Sequence, residues 1–142
     1  MDISIKRINK AVHFEATDEQ GNKVQFDGSP DIGGEDKGMT PMQMLLTSVG
    51  ACSVMDVVSI LAKQREPVED VQIKIHGDRP KEGTPKPFKA IQIHFILTGK
   101  LNENKVGKAV ALAVEKYCSV AESLDPNIEV SHSFEILPRS AQ

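Results

Sequence analysis

Apolar and polar residues alternate with a period of two over three short stretches, about Ile3 to Ile8, Val12 to Thr17 and Lys23 to Phe26. That period predicts three strands, with turns at Asn9-Lys10 and Glu19-Gln20-Gly21-Asn22, and so a β-meander. Gly28 to Gly38 has no period and reads as a loop. Thr40-Pro41-Met42-Gln43 then carries the signature of a helix start: Thr40 as N-cap, Pro41 at the first helical position and Gln43 at the capping-box position. The helix runs to about Arg65, before Pro67. Strand periodicity returns in Val68 to Asp78 and Phe88 to Thr98, on either side of a polar, Pro-rich loop from Arg79 to Pro87. Val106, Val110, Ala113, Val114 and Tyr117 mark one face of a second helix over about Asn104 to Cys118. Ser119-Val120-Ala121-Glu122 reads as a fresh capping box opening a short third helix, and Ile128 to Ile136 as the last strand. The order is βββαββααβ, with strands in antiparallel hairpins and helices in two blocks, which predicts an α+β fold in a single domain over residues 1–142.

The first helix changes the picture. Met44 to Ala62 carries one charge, Asp56, and could pass for a membrane span. A central Asp costs about 2.5 to 3.5 kcal/mol on insertion scales, so a helix buried inside a protein is the better expectation. Such a helix needs cover on nearly every side. With one Tyr and no Trp in the chain, a second copy is expected to supply part of that cover, with two central helices packed together in an obligate homodimer.

Charge and cysteine content narrow the function. Seventeen Lys and Arg stand against twenty Asp and Glu, a net charge of −3, which argues against a protein built to grip nucleic acid. No basic segment precedes an apolar run at the N-terminus, so a cytoplasmic protein without a membrane anchor is expected. In a reducing compartment Cys52 and Cys118 are not a permanent staple, which leaves transient redox chemistry or plain burial.

Thiolates are the strongest nucleophiles available at neutral pH, and a second thiol can resolve an oxidised first one. Cys52 sits among small and polar residues, Ser48, Gly50, Ala51 and Ser53, whereas a buried cysteine more often behaves as a small hydrophobe. Cys118 abuts the Ser119 capping box, where amide N–H groups and a helix dipole would favour its thiolate. Asp56 follows Cys52 by one helical turn and would oppose ionisation unless a cation intervenes; Arg7, Lys63, Arg65 and Arg79 are the candidates. Pairing inside a dimer is the structural alternative for Asp56. His13, His76, His94 and His132 fall in predicted strands and are expected to face solvent or be satisfied locally. Neither metal-ligand spacings nor a nucleotide fingerprint nor a Gly-x-Ser-x-Gly elbow occurs, so no metal, nucleotide cofactor or serine hydrolase is expected.

Pro41, then Cys52 in Met44-Leu45-Leu46-Thr47-Ser48-Val49-Gly50-Ala51-Cys52-Ser53, then Glu115-Lys116-Tyr117-Cys118-Ser119-Val120, resembles the OsmC/Ohr superfamily of organic hydroperoxide reductases, over nearly the whole chain. The resemblance implies an intertwined homodimer in which sheets of both subunits wrap the central helices and the active sites lie at the interface. It implies that Cys52 attacks the O–O bond of an organic hydroperoxide and that Cys118 resolves the resulting sulfenic acid as a disulfide, without metal, haem or flavin. A dithiol such as a lipoylated protein is then the reductant. The family's usual Glu after the Pro is here Met42, followed by Gln43, and Arg7 is the only arginine in the N-terminal strands. Arg7, Gln43 and Asp56 are therefore the supporting candidates. The alternative is a non-catalytic binding or redox-sensor protein on the same scaffold, with Met39, Met42 and Met44 as an adaptable wall for a small apolar or thiol ligand.

Overall fold

The computed structural model describes residues 1–139, in two compact units, Met1–Leu45 and the chain from Leu46 onward. In the first unit β1 (Ile3–Arg7), β2 (Phe14–Asp18) and β3 (Lys23–Phe26) form an antiparallel sheet in chain order. Short polar side chains shape its turns. Asn9 Oδ1 accepts the backbone N–H groups of Ala11 and His13, and Asp18 accepts those of Gln20 and Asn22, with Gly21 at φ +87° between them. His13 lies just outside β2, is buried, and pairs through Nε2 with Gln25 Oε1 at 2.9 Å.

Asp27 organises the loop that follows. Its carboxylate is buried and accepts backbone N–H groups from Gly28, Glu35 and Lys37 at 2.8, 3.1 and 3.1 Å. Burial pushes this carboxyl up; the three donors, with help from His13, outweigh it and leave it below the ordinary carboxylate value. The loop thus enters the first helix from a fixed point. There the expected capping box is present: Thr40 N–H donates to Gln43 Oε1 at 2.9 Å, and Gln43 N–H to Thr40 Oγ1 at 3.3 Å.

Helix α1 runs over Pro41–Lys63, ending two residues short of the expected Arg65, which adopts a left-handed φ of +58°. Then come β4 (Asp70–Asp78), β5 (Ala90–Thr98), α2 (Glu103–Leu112), a π-helical turn at Ala113–Tyr117, α3 (Ser119–Glu122) and β6 (Glu129–Leu137). The order βββαββααβ therefore holds, and the fold is α+β. The pairing differs at one place. The second sheet has the order β4-β5-β6; β4 and β5 are antiparallel as expected, but β5 and β6 are parallel. The reason is the connection: α2, the π turn and α3 carry the chain back along the sheet, a crossover that a hairpin cannot replace.

One face of this sheet is apolar in register. Ile73, Phe95 and Phe134 make one rung, and Val71, Leu97 and Ile136 the next, with the β5 members fully buried. Gly107 of α2 lies against Phe134, and Gly50 of α1 lies so close to Ile73 that a Cβ there would come within 2.7 Å of its Cδ1. Val49, Ser53, Val57 and Leu61 form the buried stripe of α1. The helix is long and apolar enough to cross a membrane, but this stripe makes it a core helix.

Candidate functional site

Two helices bring the cysteines together. Cys52 lies in the middle of α1, half-buried, and Cys118 is 3% exposed at the junction of the π turn and α3. Cys118 Sγ donates to the carbonyl oxygen of Val49, one turn before Cys52, at 3.9 Å, and the two cysteines lie near each other. Both are free.

The local geometry corrects the expected cap. Ser119 is the first residue of α3 and Cys118 is its N-cap, accepting the Ala121 N–H at 3.3 Å through its own sulfur. The next N–H, that of Val120, favours the Cys52 thiolate. The start of α3 therefore serves both thiols, where the sequence assigned its influence to Cys118 alone. The π turn before it is the kind of helix irregularity that recurs at functional sites, and here it delivers Cys118 to α1.

These neighbours determine the ionisation of Cys52. Burial pushes its thiol up, the Cys118 thiol and the Asp56 carboxylate add to that, and the Val120 N–H opposes them. The thiol stands above its ordinary value, and among the described residues no cation is one of the groups that act on it. Asp56 itself is half-buried, and its Oδ2 is enclosed without a hydrogen-bond partner among the described residues. It lines a depression of about 550 Å³ with Ser59, Ile60, Lys63, Gln64, Leu112 and Tyr117, where Gln64 Oε1 is likewise enclosed and unpartnered.

Gln43 is exposed and its amide oxygen closes the capping box of α1. Arg7 is exposed at the end of β1, across the ladder from Phe14. Of the other cations, Lys63 lines the depression beside Asp56, Arg65 is exposed past the end of α1, and Arg79 donates through Nε to the Lys86 carbonyl at 2.7 Å. Val49 and Val120 escape sequence reasoning because they contribute backbone atoms; the only available signal is their position, three residues before one cysteine and two after the other.

Among the described residues, no group of three or more His, Cys, Asp or Glu side chains converges as a metal site. His94 and His132 each pair with a carboxylate, Glu135 at 3.0 Å and Glu115 at 3.1 Å.

The sequence pattern described as OsmC-like protein matches residues 34–133. The protein YhfA of Escherichia coli K12 is 42% identical over 118 residues, which cover 82% of this chain and 84% of YhfA. A hypothetical protein from Aquifex aeolicus superposes with a TM-score of 0.83 at 32% identity, covering 98% of this chain and 97% of that one. The organic hydroperoxide resistance protein OsmC of Legionella pneumophila shares the fold, with a TM-score of 0.68 at 22% identity over 94% of this chain and 96% of that one.

Proposed function

Because the chain belongs to the OsmC-like protein family, we propose that it is a cysteine-based thiol redox protein that reduces organic hydroperoxides, with Cys52 as the attacking thiol and Cys118 as the resolving one. The observation that carries this reading is the meeting of the two thiols, 66 positions apart in sequence, at the start of α3. In the proposed reaction the Cys52 thiolate attacks the O–O bond, the alcohol leaves, and a sulfenic acid forms on Cys52. The Cys118 thiol then displaces water from that sulfenic acid to give a disulfide. Two electrons and two protons from a dithiol reductant, such as a lipoylated protein, restore both thiols.

Activation of Cys52 needs a positive charge beyond the groups that now act on it, since their balance disfavours the anion. Arg7 is the first candidate, and a second copy of the chain is the other source. A homodimer is part of the proposal. Met55 and Val58 on α1 are 70% and 45% exposed, and with Ser59 and Ala62 they follow the spacing of one helical face. An apolar helical face of this kind is suited to packing against its own symmetry copy.

The raised Cys52 thiol also favours a second reading, a non-catalytic binding or redox-sensor protein in which the pair reacts slowly and once. Steady-state peroxide consumption separates the two. Purified protein supplied with cumene hydroperoxide and excess dihydrolipoamide should turn over many equivalents of peroxide, with loss of at least 100-fold in Cys52→Ser. Consumption that stops at one equivalent per chain supports the sensor, and none at all rejects the peroxidase and the sensor and leaves the binding protein.

A further inference from the structure

The polar face of the β4-β5-β6 sheet carries a second constellation. His94 on β5 lies between two residues of β6: its Nδ1 is 2.7 Å from Ser133 Oγ, and its Nε2 is 3.0 Å from Glu135 Oε1. Parallel pairing puts His94 directly beside Ser133, and Glu135 two residues further along the same strand on the same face. A proton on Nε2 satisfies both contacts, because Nε2–H then donates to the carboxylate while Nδ1 accepts the serine O–H. Nucleophile, base and orienting carboxylate thus stand in hydrogen-bonded series. Lys74 is directly across from His94 on β4. Lys74, His94 and Ser133 form one side of a depression of about 340 Å³, with His76, Gln92 and Ser131 on the other.

We propose that this face is an acyl-transfer site that hydrolyses small esters, with Ser133 as nucleophile. Serine chemistry does not require a strand-to-helix elbow; it requires an accessible hydroxyl against a base, and Ser133 is exposed. Ser133 Oγ bonds to the ester carbonyl carbon as its proton passes to His94 Nδ1, and the oxyanion that develops lies on the Lys74 side of the depression. His94 returns that proton to the leaving alkoxide as the C–O bond breaks, and the alcohol departs. Water then attacks the acyl-serine, giving one proton to His94, and the carboxylic acid leaves as His94 reprotonates Ser133. The sum is ester plus water to acid plus alcohol, with no redox partner. Glu135 is a positioning residue that holds the imidazole tautomer.

The site shares no residue with the cysteine pair, so its test stands apart from the peroxidase reading. The full chain is treated with diisopropyl fluorophosphate, mapped by peptide mass spectrometry, and assayed with p-nitrophenyl acetate. The expected result is a phosphoryl adduct on Ser133 and hydrolysis that falls at least ten-fold in Ser133→Ala, with Ser4→Ala unchanged. Glu135→Gln should lower kcat several-fold with KM within two-fold, because the carboxylate does not touch the ester. A chain unmodified at Ser133, or a Ser133→Ala variant that hydrolyses the ester within two-fold of the parent, overturns the proposal.

Discussion

Cys118 Sγ donates a hydrogen bond to the carbonyl oxygen of Val49. That contact fixes the end of the π turn against α1 one helical turn before Cys52, and it explains how a buried thiol is kept within reach of a half-buried one. The same sulfur caps α3 through the Ala121 N–H. One atom thus holds two elements, and its oxidation state bears on both.

The cap gives a first prediction. Cys118→Ser keeps an acceptor of similar shape at the N-cap and should leave the thermal midpoint within a few degrees. Cys118→Ala leaves the Ala121 N–H without its partner and should cost about 1 to 2 kcal/mol in a urea titration.

The direction of the Cys52 shift gives a second. Burial comes first, then Cys118 and Asp56, all raising the thiol. The thiolate is the charged form, so reaction with iodoacetamide at Cys52, followed by peptide mass spectrometry, should remain slow at neutral pH and rise through the alkaline range past the ordinary cysteine midpoint. Asp56→Asn removes one raising contribution and should speed alkylation at pH 8 by a few-fold. An unchanged rate would mean that the carboxylate is neutralised by a partner.

Asp27 gives a third, with its sign fixed by the lowered carboxyl. Burial opposes the charge, and the N–H groups of Lys37, Gly28 and Glu35 overcome it. A carboxyl lowered by folding contributes stability above its unfolded value and loses it as pH falls through the folded one. The thermal midpoint of the parent should therefore exceed that of Asp27→Asn at pH 7 to 8. The gap should close as the pH drops below the ordinary carboxylate range.

The exposed face of α1 gives a fourth. Sedimentation at micromolar concentration should return twice the chain mass, and Met55→Asp, which places a charge where 70% of a methionine is bare, should shift the equilibrium toward the monomer. A parent chain that sediments as a monomer removes the homodimer from the account.

What the sequence made legible follows the range of the signals. Thr40, Pro41 and Gln43 specify a helix start within four residues, and the structure contains that capping box. The alternating apolar residues of β4 and β5 likewise mark their buried face correctly. The parallel placement of β6 was not legible, because alternation marks which face is buried and not which neighbour lies beside it. Nor was the cap of α3: cysteine is a weak acceptor, and the serine beside it carries the stronger local signal. The His94, Ser133 and Glu135 series spans 41 positions and depends on the β5–β6 register, so no local motif announces it. The cysteines were visible as residues, but their ionisation was not. It depends on the Val120 N–H, a backbone group without a side-chain signature, and on burial that only the folded chain defines.

The most direct test of the redox account is the bond it requires. Reduced protein is given one equivalent of cumene hydroperoxide, quenched with an alkylating reagent and digested, and the cysteine peptides are weighed. The account predicts loss of both free thiols and one cross-linked peptide pair that contains Cys52 and Cys118, absent in Cys52→Ser. Two alkylated cysteines per chain, with the peroxide intact, would contradict it.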